Sequence, residues 1–363
     1  MTELDRYHRQ MLLPGFGEEG QKKLLSSSAF VVGCGALGTV IASTLARAGV
    51  GKLVIVDRDF IEVTNLQRQI LFDESDVENA IPKAEAAKQK IARINSQVEV
   101  TAIVDDLNHG NIEKLSEGCD IFVDGVDNFE TRFLVNDTAV KRGVPYIYGG
   151  AVGTVGMSIA ILPHTESGDS PWEKAGVATP CLRCIFEQIP PPGMNPTCDT
   201  AGVLASTVAI IASYQCNEVL KALTGNWNKI NPAMVHIDTW ENRIRQFHVA
   251  QAYEAGRCPC CHERNFEYLE GKFASATTSM CGRNAVQLMQ PPDENGFKLD
   301  FDELVQRLKP HGEVSANKFM LRANIKDNEQ PYELTLFTDG RAIVKGTNKP
   351  SVARSIYAKY VGA

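Results

Sequence analysis

The sequence predicts an α/β fold, in which a mixed β-sheet with flanking helices is followed by a small α+β domain. Three observations indicate this fold: an apolar strand that runs into a glycine-rich turn and helix, antiparallel-type alternation after Thr154, and further alternating strands beyond about residue 270. A chain of 363 residues is long enough for two or three compact units. The predicted domains are residues 1–268 and 269–363.

The composition excludes several classes of protein. Apolar residues make up 44% and charged residues 22%, as in ordinary soluble globular proteins. The net charge of −7 and the lack of a Lys/Arg run speak against nucleic-acid binding. No apolar stretch of about twenty residues and no N-terminal signal core are present, so we expect no membrane segment and a cytoplasmic location. Ten cysteines in such a protein indicate metal binding or catalysis before disulfides.

The glycine-rich turn is the feature around which the first domain is predicted to form. Residues 29–32 read as a buried parallel strand, and Gly33, Gly35 and Gly38 follow at G-x-G-x-x-G spacing before an apolar helix over 37–48. Glycine permits the sharp turn and lets backbone approach a phosphate, while the helix N-terminus offers free N–H groups to an anion. The turn therefore predicts a nucleotide site in a Rossmann-like domain.

A second strand over 52–56 ends in Asp57, whose carboxylate suits a ribose hydroxyl. The glycine motif and this acid favour NAD when they are taken alone, because the dinucleotide fingerprint is the common interpretation. The next segment, 59–69, is polar and loop-like and carries Arg68, whereas a dehydrogenase usually begins a helix there. Pro82 suits a first helical turn, and Lys83 beside it would face phosphates from the N-terminus of a helix that runs to about residue 95.

Three more strands are predicted over 99–104, 121–123 and 146–149. The second of them leads to Asp127 and Asn128, just before a helix that begins near residue 129. Either residue suits the helix N-cap. Asp127 equally suits a Mg²⁺ ligand, since open α/β sheets bind ligands at the carboxyl ends of their strands. The sequence leaves these two roles of Asp127 open.

Four cysteines form two C-x-x-C pairs, one of Cys181 and Cys184 and the other of Cys258 and Cys261. Each pair can hold one tetrahedral Zn²⁺ from a tight turn, so the four predict a structural Cys₄ zinc site. The alternative is a redox C-x-x-C, but nothing thioredoxin-like surrounds either pair.

The remaining cysteines receive other predictions. Cys260 and His262 are neighbours that compete as metal ligands, and the closed Cys₄ set is the simpler choice. Cys34, Cys119 and Cys216 lie in apolar elements and are expected to be buried small hydrophobes.

The region beyond about residue 270 is predicted to hold a helix over 302–309, strands over 318–325, 332–337 and 342–345, and a closing helix over 350–360. Asp339-Gly340 suits a hairpin turn between the last two strands.

Together these motifs resemble the adenylyltransferases that activate ubiquitin-like proteins, the ThiF/MoeB/HesA group related to ubiquitin-activating enzymes. The resemblance covers roughly residues 5–262, in the order of the family. It is carried by Arg6–Gln10, the G-x-G-x-x-G turn, Asp57-Arg-Asp59, Asn65–Gln69, Pro82-Lys83, Asp124–Asn128, the two C-x-x-C pairs, and Cys198 before Gly202-Val203. The resemblance outweighs the NAD interpretation, because an NAD-dependent oxidoreductase does not require Arg68, Lys83 and the paired cysteines together.

The resemblance implies that ATP and the C-terminal glycine carboxylate of a ubiquitin-like sulfur-carrier protein ending in Gly-Gly react to give an acyl-adenylate and pyrophosphate. Backbone of Gly33, Gly35 and Ala36 would line the nucleotide, and Asp57 would hold its ribose. Ala36 stands where many members have glycine, which a backbone contact tolerates. The residues that it implies around the phosphates and Mg²⁺ are Asn65, Arg68, Lys83, Asp127 and Asn128.

The resemblance also implies partners. Arg9 would reach the active site of a second subunit, so a homodimer is expected, although its spacing alone indicates only a solvated turn. Cys198 stands where relatives place a nucleophilic or sulfur-transferring cysteine, fed by a sulfur donor such as a cysteine desulfurase, and a loop residue without a covalent role is the equal alternative. Cys281, the only cysteine of the last ninety residues, lies too early for a rhodanese cradle, so sulfurtransferase activity of that unit is not expected. That unit is expected to dock the carrier.

Three alternatives remain at this point: an NAD-dependent oxidoreductase, a family member that acts on tRNA or a small molecule, and a zinc-stapled nucleotide-binding scaffold. The charge of −7, the absence of a basic tail and the paired cysteines speak against the tRNA enzyme. Three cations around one phosphate site speak against the scaffold. The sequence does not say which carrier or pathway is served.

Overall fold

The computed structural model describes residues 4–187, 202–272, 277–280, 284–288, 300–327, 330–338 and 341–361. The chain divides into two compact units, residues 1–273 and 274–363. Within the described ranges, no helix has both the length and the apolar character that crossing a membrane requires. Cys198, Cys281, the Pro-rich stretch 189–197 and the Asp339-Gly340 turn lie outside the described residues.

The first unit is built on an eight-stranded mixed sheet, in the order β3-β2-β1-β4-β5-β6-β7-β8. Its strands are β1 (Ser28–Val32), β2 (Lys52–Val56), β3 (Glu99–Ile103), β4 (Ile121–Asp124), β5 (Tyr146–Val152), β6 (Val155–Ile161), β7 (Met234–Asp238) and β8 (Arg243–Phe247). The first five strands are mutually parallel, whereas β6, β7 and β8 each pair antiparallel with the strand before them. The predicted change of character after Thr154 is therefore confirmed as a change of strand direction.

Helices pack against both faces of this sheet, and those of the described residues are given next. They are α1 (His8–Met11), α2 (Gly17–Leu25), α3 (Ala36–Ala48), α4 (Glu74–Glu78), α5 (Lys83–Ile94), α6 (Ile112–Leu115), α7 (Phe129–Arg142), α8 (Pro171–Lys174), α9 (Leu182–Ile185), α10 (Ala205–Thr224) and α11 (Ala250–Glu254). The short helices α4, α6, α8, α9 and α11 were not expected, since one or two turns leave little periodicity to read in a sequence. Helices α3, α7 and α10 each end at a glycine in the left-handed region, as C-caps commonly do.

The strand order indicates where a ligand site is expected in this sheet. Strand β1 lies between β2 and β4, so successive connections leave it in opposite directions. Open parallel sheets bind ligands at such a switch point, outside the carboxyl ends of the strands. All five residues of β1 are buried, as its apolar sequence predicts for a central strand. The glycine turn, Asp57 and the residues after β4 therefore meet at one edge.

In its described residues, the second unit is a six-stranded antiparallel sheet with two α-helices. Its order is β11-β12-β13-β14-β10-β9. The strands are β9 (Thr277–Met280), β10 (Ala285–Leu288), β11 (Gly312–Ala316), β12 (Met320–Asp327), β13 (Gln330–Phe337) and β14 (Ala342–Lys345), and the helices are α12 (Phe301–Leu308) and α13 (Pro350–Tyr360). The predicted α+β class is confirmed, whereas β9, β10 and β11 were missed because their short sequences lack a clear apolar alternation.

Candidate active site

The glycine turn is held by contacts that exclude any side chain. Gly33 has φ +84°, and a Cβ on it would lie 2.7 Å from the carbonyl oxygen of Gly125. A Cβ on Gly38 would lie 2.0 Å from the carbonyl oxygen of Gly33, so the helix can approach the turn this closely only with glycine there. At Gly35, by contrast, the nearest atom to such a Cβ is 3.9 Å away. Gly35 caps α3, and its open side leaves room for a ligand at the helix N-terminus.

Asp57 is bonded to this turn. Its Oδ2 accepts a hydrogen bond from the N–H of Cys34 at 2.6 Å, and its Oδ1 accepts one from the N–H of Asp59 at 2.7 Å. Burial raises the pKa of Asp57, and the nearby Lys83 ammonium counters part of that rise. Carboxylate oxygens have further lone pairs, so the side chain can still accept from a hydroxyl.

Lys83 is the first residue of α5, where the sequence places it, but it is not a free surface cation. Its side chain is 4% exposed, and its Nζ lies 3.0 Å from Oδ2 of Asp59. Its backbone N–H donates to the carbonyl oxygen of Asp59 at 2.9 Å. Asp59 was not predicted as this partner, although it lies directly between Asp57 and the loop in the sequence.

The loop after β2 carries Asn65 and Arg68. Asn65 is buried in a 3₁₀ turn, and its Oδ1 accepts from the N–H of Glu62 at 3.1 Å. The Arg68 side chain is partly exposed and donates to the carbonyl oxygen of Thr64 at 3.0 Å. Gln69, which was given no role, is buried, its Nε2 is the side-chain atom nearest to Gly35, and its Oε1 has no hydrogen-bond partner among the described residues.

The structure separates the two roles that the sequence left open for Asp127. Asn128 is the N-cap of α7, since its side chain accepts from the N–H of Thr131 at 2.9 Å. Asp127 is exposed, and its Oδ1 lies 3.4 Å from Nδ2 of Asn128. The carboxylate of Asp127 therefore lies at the carboxyl end of β4 without capping the helix.

A buried ionic network supports this edge of the sheet, and sequence reasoning missed it. Oδ2 of Asp124 accepts from Nε of Arg132 at 3.0 Å and from the hydroxyl of Tyr146 at 2.9 Å. Arg132 also donates to the carbonyl oxygens of Val126 and Gly149, at 2.8 and 3.1 Å. Burial raises the pKa of Asp124 and Arg132 opposes that rise. The network fixes the backbone between β4 and α7.

The N-terminal segment is attached to the rest of the first unit through the side chains of Tyr7 and Gln10. Tyr7 is buried, and its hydroxyl accepts a hydrogen bond from Nδ2 of Asn95 at 2.8 Å. Gly49 makes room for it, because a Cβ there would lie 2.6 Å from two atoms of the Tyr7 ring. Gln10 donates to the carbonyl oxygen of Ala48 at 2.6 Å. These contacts leave Arg9 on the exposed side of α1.

The four cysteines of the two C-x-x-C pairs come together in the structure. All four Sγ atoms lie within 4.8 Å of one another. The separations are 3.9 Å for Cys181–Cys184, 3.5 Å for Cys181–Cys258 and 3.3 Å for Cys184–Cys261. A tetrahedral zinc with Zn–S bonds of about 2.3 Å requires sulfurs about 3.8 Å apart, so this donor set is compatible with Zn²⁺.

Cys260 is used differently from its neighbours. It is fully buried, and its Sγ accepts from Nδ2 of Asn136 at 3.3 Å. Oδ1 of the same asparagine accepts from the N–H of Leu182 at 2.7 Å, which ties the first C-x-x-C turn to α7. The predicted choice of ligands is consistent with this geometry. The predicted burial of Cys34, Cys119 and Cys216 is confirmed, and burial raises the pKa of each thiol.

Comparisons with known proteins find relatives in sequence and in fold. The model of the ThiF family matches residues 7–260. The sulfur carrier protein ThiS adenylyltransferase of Bacillus subtilis is 39% identical over 358 residues, 98% of this chain and 99% of that protein. The protein of the same name from Escherichia coli is 33% identical over 72% of this chain and 96% of its own length. The crystal structure of E. coli MccB with ATP superposes with a TM-score of 0.56 and 25% identity, covering 71% of this chain and 73% of MccB.

Proposed function

The chain belongs to the ThiF family, and from that premise we propose that it is an adenylyltransferase, which uses ATP to activate the C-terminal glycine of a ubiquitin-like sulfur-carrier protein. One observation carries the proposal. Lys83 pairs with Asp59, and Asp59 is bonded to Asp57 beside the glycine turn, so a buried cation lies close to the proposed nucleotide site. An enzyme that transfers hydride does not require a cation at this position. The relatives named as adenylyltransferases of sulfur carriers support the substrate class.

In the proposed reaction the carrier carboxylate attacks the α-phosphorus of ATP, a P–O bond forms, and the bond to the pyrophosphate group breaks. Catalysis depends on positioning and on stabilising the charge that grows on the leaving group. Backbone of Gly33, Gly35 and Ala36 would line the nucleotide, and Asp57 would accept from the ribose. Asn65, Arg68 and Lys83 would contact the phosphates.

Two metals belong to the proposal. Asp127, with Asn128 beside it, would hold Mg²⁺, which supplies charge neutralisation for the triphosphate when it is bound. Its exposed carboxylate, which does not cap α7, supports this assignment. The Cys181, Cys184, Cys258 and Cys261 cluster would hold a structural Zn²⁺.

The partners are proposed as well. Arg9, exposed on its short helix, would act in the site of a second copy of the chain, which makes the enzyme a homodimer. Cys198 would accept the acyl group or sulfur, with a cysteine desulfurase as sulfur donor, or serve as an ordinary loop residue. The C-terminal region, proposed as residues 269–363, would dock the carrier. A cytoplasmic location is supported by the eight described cysteines, all of which are free.

The decisive experiment is ATP–pyrophosphate exchange with a carrier of about ninety residues that ends in Gly-Gly. Arg68→Ala and Lys83→Ala should each lower exchange by about 10²–10³-fold, as the loss of a preorganised donor typically does. Lys90→Ala is the matched control on α5, since Lys90 pairs instead with Asp73 and Asp76 and should keep its exchange activity. Near-normal exchange in both test variants, or binding of NAD in place of ATP, would contradict the proposal.

A further inference from the structure

A row of alternating charges connects the loop after β3 with the first residue of α5. Oδ1 of Asp106 lies 2.6 Å from Nη1 of Arg58, and Nε of Arg58 lies 3.9 Å from Oδ1 of Asp59. The other oxygen of Asp59, Oδ2, lies 3.0 Å from Nζ of Lys83. The row holds two carboxylates and two cations, so it adds no net charge to the site. Its Lys83 end is the more deeply buried, at 4% exposure against 17% for Asp106.

Backbone contacts fix the same two segments to each other. The N–H of Lys83 donates to the carbonyl oxygen of Asp59, and Phe60 forms an antiparallel bridge with Pro82. The N–H of Asp59 in turn donates to Asp57, whose other oxygen accepts from the glycine turn. Asp59 therefore bonds both to Asp57, the proposed ribose ligand, and to Lys83, one of the proposed phosphate ligands.

The ion pair with Asp59 restricts the Lys83 side chain, which would otherwise be flexible. Its ammonium group lies at the end of a flexible four-carbon chain and can point in many directions. The group has three donors, so a bond to one carboxylate oxygen fixes its direction and leaves donor capacity for a phosphate. Small displacements of a catalytic group cost as much as about 10²-fold in rate.

We propose that Asp59 is a positioning residue, which aims the Lys83 ammonium at the phosphates of an ATP whose ribose is held by Asp57. This inference rests on the proposed function. Asp59 itself does not touch ATP, and acts only through Lys83. Its negative charge opposes the binding of a triphosphate, so its benefit lies in the direction of the ammonium group and not in attraction of the substrate.

The first test is the Asp59→Asn variant, compared with Asp106→Asn at the other end of the row. Asp59→Asn should lower kcat of adenylation by about 10–100-fold, while KM for ATP stays unchanged or falls, because a negative charge has been removed. Asp106→Asn, with the same chemical change, should keep kcat within about threefold of wild type. Equal losses in the two variants, or a raised KM with normal kcat in Asp59→Asn, would overturn the proposal.

A double-mutant cycle then separates positioning from a general loss of structure. In a Lys83→Met background, Asp59→Asn should have almost no further effect on kcat, because its only route of action has been removed. A variant that disturbs the fold would lower kcat by the same factor in both backgrounds. That result would refute the positioning role.

A measurement independent of catalysis distinguishes failure of this inference from failure of the proposed function. Labelling with an amine-reactive acylating reagent, mapped by mass spectrometry, should modify Lys83 several-fold faster in Asp59→Asn than in wild type or Asp106→Asn. Unchanged labelling would refute the anchoring even if exchange activity is found. Faster labelling in a protein that lacks exchange with any Gly-Gly carrier would support the anchoring and contradict the function.

Discussion

Nε of Arg132 lies 3.0 Å from Oδ2 of Asp124, and both side chains are buried beneath the carboxyl end of β4. Removing one member of a buried ion pair leaves the other without an opposite charge, which typically costs about 3–5 kcal/mol. We therefore expect Arg132→Met to lower the free energy of unfolding by about that amount. Lys141→Met, on the same helix but with an exposed partner in Glu113, should change it by less than about 1 kcal/mol.

The pH dependence of the Arg132→Met variant follows from the same pair. Burial already raises the pKa of Asp124 above its ordinary value of 3.8, and loss of the guanidinium raises it further. A carboxyl whose folded-state pKa is raised stabilises the fold at pH below its unfolded value and loses that contribution as pH rises. The loss in free energy of unfolding, relative to wild type, should therefore be smallest near pH 4 and should grow toward neutrality. Urea unfolding at several pH values measures this, and a loss that is independent of pH would contradict this account.

A second prediction uses the separation between Asp127 and Asn128. Asp127→Ala should abolish adenylation without lowering the melting temperature, because its carboxylate caps no helix. Asn128→Ala should lower the free energy of unfolding by about 1 kcal/mol, the usual effect of removing an N-cap. Calorimetry and exchange assays on both variants check this, and a destabilised but active Asp127→Ala protein would assign it a structural role.

The cysteine cluster predicts a metal content. Purified protein should contain about one Zn²⁺ per chain, and Cys181→Ser should lose metal and stability together. Cys260→Ser should retain the metal, because Cys260 is bonded to Asn136 and is not among the four clustered sulfurs. Elemental analysis decides this, and loss of zinc from Cys260→Ser with retention in Cys181→Ser would reverse the assignment.

The proposed role of Arg9 in the site of a second subunit predicts complementation between two inactive variants. Arg9→Ala and Lys83→Ala proteins are each expected to be impaired, but their heterodimer contains one site in which both residues are present. Mixing the two should restore part of the activity in proportion to the heterodimer formed. Subunit exchange verified by native mass spectrometry without any recovery would argue that Arg9 acts within its own chain or not at all.

The capping box of Ser170 and Glu173 at the start of α8 gives a prediction at acidic pH. Burial opposes ionisation of Glu173, but hydrogen bonds from Ser170 and Thr165 outweigh it and lower the pKa of Glu173 from 4.5 to about 2. A carboxyl with a lowered pKa contributes stability above its unfolded value and loses it as pH falls. Glu173→Gln should thus be less stable than wild type above about pH 5, and the difference should shrink as the pH falls toward 3.

The sequence predicts the glycine turn well because only glycine meets its requirements: Gly33 needs a positive φ and Gly38 lies against a carbonyl oxygen. The clustering of the four cysteines could be predicted equally well, since the C-x-x-C spacing already places each pair close together. The ion pair of Asp59 with Lys83 was not, because its partners are 24 residues apart and acquire their relation only from the meeting of a strand end and a helix start. Asp127 and Asn128 could not be told apart, since both residue types cap helices well.

The contact between Tyr7 and Asn95 has a consequence for the order in which the chain folds. Nδ2 of Asn95 also donates to the carbonyl oxygen of Ala46, so the pocket for Tyr7 is complete only when α3, α5 and the turn at Gly49 have come together. Synthesis runs from the N-terminal side, and the segment of Tyr7 therefore leaves the ribosome long before its pocket exists. Arg9 belongs to the same segment, so the residue proposed to act in a second subunit reaches its place only after α3 and α5 of its own chain have packed together.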